Sequence, residues 1–157
     1  MPYNDKVFLD FPDETTTEKP AATGEIREFI HPTYGKQLYR LVRNTSGGVI
    51  LAGRVTIYAS GSSLNVTYSG TNAIAASIAG ITVVNIPDDS YGWVVCSGQV
   101  VGATQNDVDA DDPVFTIGAA GQTDDATPGG IEHCVLGIYV EGRVGPGAVP
   151  IRVSGIM

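Results

Sequence analysis

Tyr91-Gly92-Trp93-Val94-Val95-Cys96-Ser97-Gly98-Gln99-Val100-Val101-Gly102-Ala103 carries the only tryptophan of the chain and follows directly on Pro87-Asp88-Asp89-Ser90. Apolar and β-branched residues crowd it, and a turn signal bounds it on its N-terminal side. An aromatic as large as Trp93 fills the centre of a small β core, so the stretch reads as a buried strand. It holds no catalytic pair, and function has to be sought in architecture, charge layout and resemblance.

The rest of the composition agrees with a strand at the centre. The 157 residues include 45 Val, Ile and Thr but only 21 Leu, Met, Glu, Lys and Gln. Branched side chains sit well on a pleated surface and crowd a helical turn, which favours strands. Twenty glycines and nine prolines supply the turns between them. A chain of this length buries one core, so the expectation is an all-β protein: a single β-sandwich or small β-barrel domain over residues 25–157, preceded by an extended N-terminal arm over residues 1–24.

The most apolar run, Ala73 to Ile86, is too short for a membrane span and is interrupted by Ser77, Thr82 and Asn85. Pro2-Tyr3-Asn4-Asp5 lacks the basic region of a signal peptide, so a cytosolic origin and no membrane contact are expected. In that compartment Cys96 and Cys134 read as reduced core thiols, and the sequons at Asn44 and Asn65 as coincidences.

Charge is sorted along the chain. Residues 1–28 carry a net charge of −4, residues 29–87 contain no acid and carry +4 from Lys36, Arg40, Arg43 and Arg54, and residues 88–157 carry −8. A basic middle between acidic ends suits an acidic partner surface or an acidic arm. Four cations in a chain of net charge −8 are too few to track phosphates, which argues against nucleic acid.

Within the arm, Val7-Phe8-Leu9-Asp10-Phe11 is an apolar island in a polar, proline-bearing segment. Such an island reads as an anchor and its surroundings as a tether. The segments expected as strands are Glu25–Tyr34, Gln37–Arg43, Val49–Ala59, Leu64–Tyr68, Ile81–Ile86, the opening stretch, Val114–Ile117, His133–Val140 and Val149–Val153. In His133–Val140 the shared face is expected to be Cys134, Leu136, Ile138 and Val140. Asn72–Ala79 reads as a strand or a single helical turn, and Gly118–Gly130 as a loop.

Candidate chemistry is sparse. Asp107-Val108-Asp109-Ala110-Asp111 begins like a calcium loop, but Asp112 stands where the turn wants glycine and Gly118 where a bidentate glutamate belongs, so it reads as a solvated acidic loop. His133 and Cys134 are neighbours in an expected strand and point to opposite faces, which defeats a nucleophile and base pair. His31 precedes a proline, and two histidines with two cysteines at these spacings make no zinc site. No enzyme activity, cofactor or metal is expected.

From Ile81 onward the order of features resembles capsid decoration, or cement, proteins of tailed bacteriophages. The resemblance rests on Ile86-Pro87-Asp88-Asp89-Ser90-Tyr91-Gly92-Trp93-Val94, then Asp111-Asp112-Pro113-Val114-Phe115 with Gly118-Ala119-Ala120-Gly121, then Val135-Leu136-Gly137-Ile138. It covers the C-terminal half. It implies a small β domain without an active site, trimeric, bound to the major capsid protein on the outside of an expanded head and assembled in the host cytoplasm. The residues expected to make capsid or subunit contacts are Val7, Phe8, Leu9 and Phe11 in the arm and Lys36, Arg40, Arg43 and Arg54 in the basic middle. The competing expectation is a β-sandwich glycan- or receptor-binding module of a fibre or adhesin, using Tyr58 and Tyr68.

Overall fold

A computed structural model describes residues 11–20, 23–59, 64–68, 78–116, 121–125 and 136–154. Among these residues there are ten strands and no helix: β1 (Ile26–His31), β2 (Gly35–Asn44), β3 (Val55–Tyr58), β4 (Asn65–Tyr68), β5 (Ile78–Thr82), β6 (Tyr91–Thr104), β7 (Pro113–Thr116), β8 (Thr123–Asp124), β9 (Gly137–Tyr139) and β10 (Gly147–Val153). The all-β expectation holds. The strands form one mixed sheet in the order β1-β2-β4-β3-β5-β6-β10-β9-β7-β8, with further pairings β2–β6 and β6–β8. Those two pairings close the sheet into two five-stranded rings, β2-β4-β3-β5-β6 and β6-β10-β9-β7-β8, which share β6 and leave β1 appended to β2. Among the described residues only β2–β4 and β6–β8 pair in parallel.

The tryptophan-bearing stretch is the shared strand. Its first half, Tyr91 to Ser97, pairs with β2, and its second half, Gly98 to Thr104, pairs with β10. Gly98, at φ 107°, is the pivot between them. A Cβ there would lie 2.7 Å from the Lys36 carbonyl oxygen, which leaves glycine as the residue that fits.

Alternation along β6 feeds two apolar clusters. Trp93 and Val95 face one way and join Tyr39, Leu41, Val55, Ile81, Tyr139 and Ile151, all buried. Val94 faces the other way and joins Val42, Ile50, Val66, Ala79 and Ile86. Phe29 ties β1 onto the larger cluster, its ring edge-on to both Tyr39 (5.1 Å between centroids) and Trp93 (5.7 Å). Asn44, fully buried, donates through its side chain to the carbonyls of Gly48 (2.7 Å) and Ile86 (2.8 Å) and accepts from the Ser46 amide (2.9 Å), so it fixes the turn after β2 with no lost hydrogen bond.

Three expected strands differ from those observed. Val49–Ala59 is not one strand: Ile50 makes an isolated bridge to Ile86, the chain turns at Gly53 with φ 76°, and only Val55–Tyr58 pair as β3. Gly53 is drawn away from the ladder because its amide donates to Thr82 and its carbonyl accepts from Ala103, each at 2.8 Å. Ile81–Ile86 is displaced: β5 begins at Ile78 and ends at Thr82. On β9 the inward residues are Gly137 and Tyr139, because Tyr139 pairs with the buried Ile151 while Ile138 pairs with the exposed Arg152. The loop expected over residues 118–130 contains β8, and the segment 72–77 lies outside the described residues.

Candidate functional site: an apolar groove beside the N-terminal segment

Residues 11–20 are held at the start of β6. Thr16 bridges Tyr91, and farther along the chain the Gly24 amide donates to the Leu41 carbonyl (2.8 Å). Upstream of Thr16, the Glu14 amide donates to the Phe11 carbonyl and the Phe11 amide to the Glu14 carboxylate, both at 3.2 Å, closing a turn. Phe11 is 61% exposed and stands at the wall of a cavity of about 710 Å³. Val7, Phe8 and Leu9 lie outside the described residues.

The cavity gathers segments that are far apart in sequence. Phe29 and Ile30 come from β1, Tyr39 from β2, Gly53 from the turn before β3, Val83 and Val84 from after β5, Val101 from β6 and Ala148 from β10. Of its polar wall residues, which also include Asp13 and Tyr34, two are engaged with neighbouring groups. Gln37 accepts from the Tyr39 hydroxyl (2.7 Å) and donates to the Gln99 carbonyl, and His31 Nδ1 accepts the amides of Thr33 (3.1 Å) and Tyr34 (3.2 Å). The rest of the wall is mostly apolar and aromatic surface. Burial pushes the Tyr39 hydroxyl up to about 12, so this phenol stays neutral.

The four cations of the basic middle are not one face. Lys36, Arg40 and Arg43 all lie on β2, but Arg43 alternates to the face opposite Lys36 and Arg40. Lys36 pairs with Glu28 (2.5 Å), and Arg43 pairs with Asp89 (3.0 Å) and lies over the Tyr91 ring (5.8 Å). Arg40 lies over the Tyr58 ring and donates to its hydroxyl. The counter-ions Glu28 and Asp89 come from immediately outside the acid-free segment. Arg54 is half-buried, with Nε and Nη1 buried and lacking a hydrogen-bond partner.

Tyr58 and Tyr68 stand on strands, not loops. Both pack against the smaller cluster, with their hydroxyls bonded to Arg40 and to the Val49 carbonyl. Cys96 is buried, its thiol donating to the Leu38 carbonyl (3.3 Å) and held above its ordinary pKa by burial. A buried neutral thiol is an inert one. His133 and Cys134 lie outside the described residues.

Sequence reasoning missed one acidic assembly. Asp109 and Asp112 are joined by Asp125, their carboxylates within 4.8 Å of one another, and the Asp109 amide donates to Asp125 (3.1 Å). Desolvation first, then the charges of Asp124 and Asp112, raise the Asp125 pKa against that hydrogen bond. Asp125 is distant in sequence and carried no signal of its own. The cluster is partly exposed, and self-repulsion is its one clear property.

No protein-family model matches the chain, and no curated protein matches it in sequence. Among solved structures its fold is similar to the N-terminal base of the head fibre protein gp8.5 of bacteriophage phi29, with a TM-score of 0.55 and 18% identity, covering 74% of this chain and 92% of that one. At that identity the likeness is one of fold.

Proposed function

We propose that this chain is a structural protein of a tailed-phage virion that attaches to the outer surface of the head and braces or decorates its lattice. The observation that carries the reading is the fold shared with a head fibre base, which spans nearly all of that base. The sequence features between Ile86 and Ile138 support it independently, since they point to head decoration proteins. Attachment is assigned to the arm residues Val7, Phe8, Leu9 and Phe11 and to the surface around Lys36 and Arg43, with the major capsid protein as partner. Assembly as a homotrimer multiplies modest contacts through avidity, and binding across several capsid subunits stabilises the bound lattice by its differential affinity. The fold shared with a head fibre base supports a structural, non-enzymatic role. Tyr58 and Tyr68 are engaged in packing, and they give a glycan-binding reading no support.

The test is co-sedimentation with expanded heads of the phage that encodes the chain. The intact protein is expected to pellet with heads and to raise their resistance to heat. A protein that stays in the supernatant at concentrations well above those of its capsid sites would overturn the proposal.

A further inference from the structure

The groove beside Phe11 has an occupant within reach. We propose that Val7 and Leu9 of the chain's own N-terminal segment seat in this groove as a continuation of Phe11, which turns Phe8 outward. The inference concerns the free protein and does not rest on head attachment.

Three observations lead there. The first is reach: Phe11 already forms part of the groove wall, and Leu9 and Val7 precede it by two and four residues. At about 3.3–3.6 Å per residue an extended chain places Leu9 within about 7 Å of Phe11 and Val7 within about 14 Å. The root of the segment is fixed, because the Phe11–Glu14 turn and the Thr16–Tyr91 bridge hold residues 11–16 against the domain. Docking therefore costs only the ordering of residues 7–10 themselves, because the effective concentration of the segment at the groove is that of a short tether.

The second is chemistry. The wall is built mainly from Phe29, Tyr39, Val83, Val101 and Ala148; among its polar members Gln37 and His31 Nδ1 spend hydrogen bonds on neighbouring protein groups, and Asp13 contributes one carboxylate. Such a surface suits branched aliphatic side chains, and its one carboxylate, Asp13, disfavours an anionic occupant. Ile30, 70% exposed, extends the apolar rim.

The third is phase. Successive side chains of an extended segment alternate, so Val7, Leu9 and Phe11 share one side while Phe8 and Asp10 share the other. With Phe11 on the groove, Val7 and Leu9 follow it and Asp10 faces water. The alternative phase would force the Asp10 carboxylate into an apolar wall with no cation to meet it. In the free protein Phe8 is then the one large apolar group of the island left facing solvent, and capsid contact by Val7 and Leu9 requires them to leave the groove.

The test uses the full chain. In a Leu9→Cys, Ala148→Cys double variant, mild oxidation with glutathione disulfide is expected to form a bond within one chain, at least tenfold faster than in a Leu9→Cys, Ala110→Cys control whose second site is on the exposed loop after β6. Peptide mapping separates this bond from any made by Cys96 or Cys134. In parallel, Leu9→Asp is expected to increase binding of an apolar fluorescent dye several-fold with an unchanged Trp93 emission maximum, whereas Phe8→Asp leaves dye binding at the level of the unaltered protein. Equal oxidation rates in the two double variants would overturn the proposal, as would a Leu9–Ala148 bond that links two chains or equal dye responses of Leu9→Asp and Phe8→Asp. Neither readout involves capsids, so failure here and failure of head attachment are separate results.

Discussion

Thr16 and Tyr91 exchange both of their backbone hydrogen bonds, the Thr16 amide donating to the Tyr91 carbonyl (3.1 Å) and the Tyr91 amide to the Thr16 carbonyl (2.7 Å). This single bridge ties the N-terminal segment to the first residue of the strand on which both rings are built. Thr16→Pro removes one of the two donors and should cost about 1 kcal/mol, little of it from the core. Limited proteolysis checks the local effect: cleavage within residues 11–20 should accelerate while the β domain stays protected. Acceleration of cleavage throughout the chain would show instead that the bridge supports the whole fold.

Gly98 is where β6 leaves one ring for the other. Its φ of 107°, and the 2.7 Å that would separate an added methyl carbon from the Lys36 carbonyl oxygen, leave no room for a side chain. Gly98→Ala should destabilise by about 1–3 kcal/mol, the cost of holding a non-glycine residue in that region plus the displacement of β2. Gly145→Ala is the comparison, since Gly145 also has positive φ (80°) but a Cβ there meets nothing within 4 Å. Thermal denaturation should rank Gly98→Ala well below Gly145→Ala, and equal melting temperatures would remove Gly98 from its pivotal place.

Trp93 is fully buried among Phe29, Tyr39 and the β6 neighbours, yet its indole Nε1 has no hydrogen-bond partner. The indole is held by packing and by the Arg27 guanidinium, whose carbon lies 5.6 Å from the ring centroid. Trp93→Ala should cost about 3–5 kcal/mol through lost area and the cavity left behind. Trp93→Phe forfeits area but no hydrogen bond, so roughly half that loss is expected. Urea denaturation followed by circular dichroism distinguishes the two; a Trp93→Phe variant as unstable as Trp93→Ala would mean that the indole nitrogen matters after all.

The fold class was legible because strand propensity is written locally. Valine, isoleucine and threonine outnumber good helix formers, and the buried alternation of Tyr91 to Ala103 predicted β6 to within one residue of its observed end. What escaped was set by partners distant in sequence. Alternation from Val49 to Ala59 continues unbroken through Gly53, but the backbone of Gly53 is claimed by Thr82 and Ala103, and no local pattern records that. β8 is two residues long and exists because Thr123 pairs with Thr104 and with Thr116. The same limit governs the site. Counting charge along the chain isolates Lys36, Arg40 and Arg43 as free cations, and the fold then returns Glu28 to Lys36 and Asp89 to Arg43 and sets Arg40 over Tyr58. The groove, assembled from β1, β2, β6, β10 and two connecting turns, has no footprint in any one segment.

Tyr39 makes stability depend on alkaline pH. Its hydroxyl is buried, donates to Gln37 Oε1, and has its pKa raised from 10.0 to about 12 by desolvation. The folded state therefore keeps a proton that the unfolded chain releases near 10. Where the folded state binds more protons, stability falls as pH rises, so the contribution is complete below about pH 10 and is lost as pH climbs toward 12, by at most about 2.7 kcal/mol for a shift of this size. Tyrosinate absorbance followed alongside circular dichroism should show Tyr39 ionising only with unfolding. In Tyr39→Phe, Gln37 Oε1 loses its donor, which should lower stability near neutral pH by about 1–2 kcal/mol. The same variant should lose less stability than the unaltered protein between pH 10 and 12, because the phenol that drove that loss is gone. Parallel stability curves for the two proteins across this interval would place the alkaline sensitivity elsewhere, with Tyr139, whose hydroxyl burial likewise pushes well above its ordinary value, as the next residue to change.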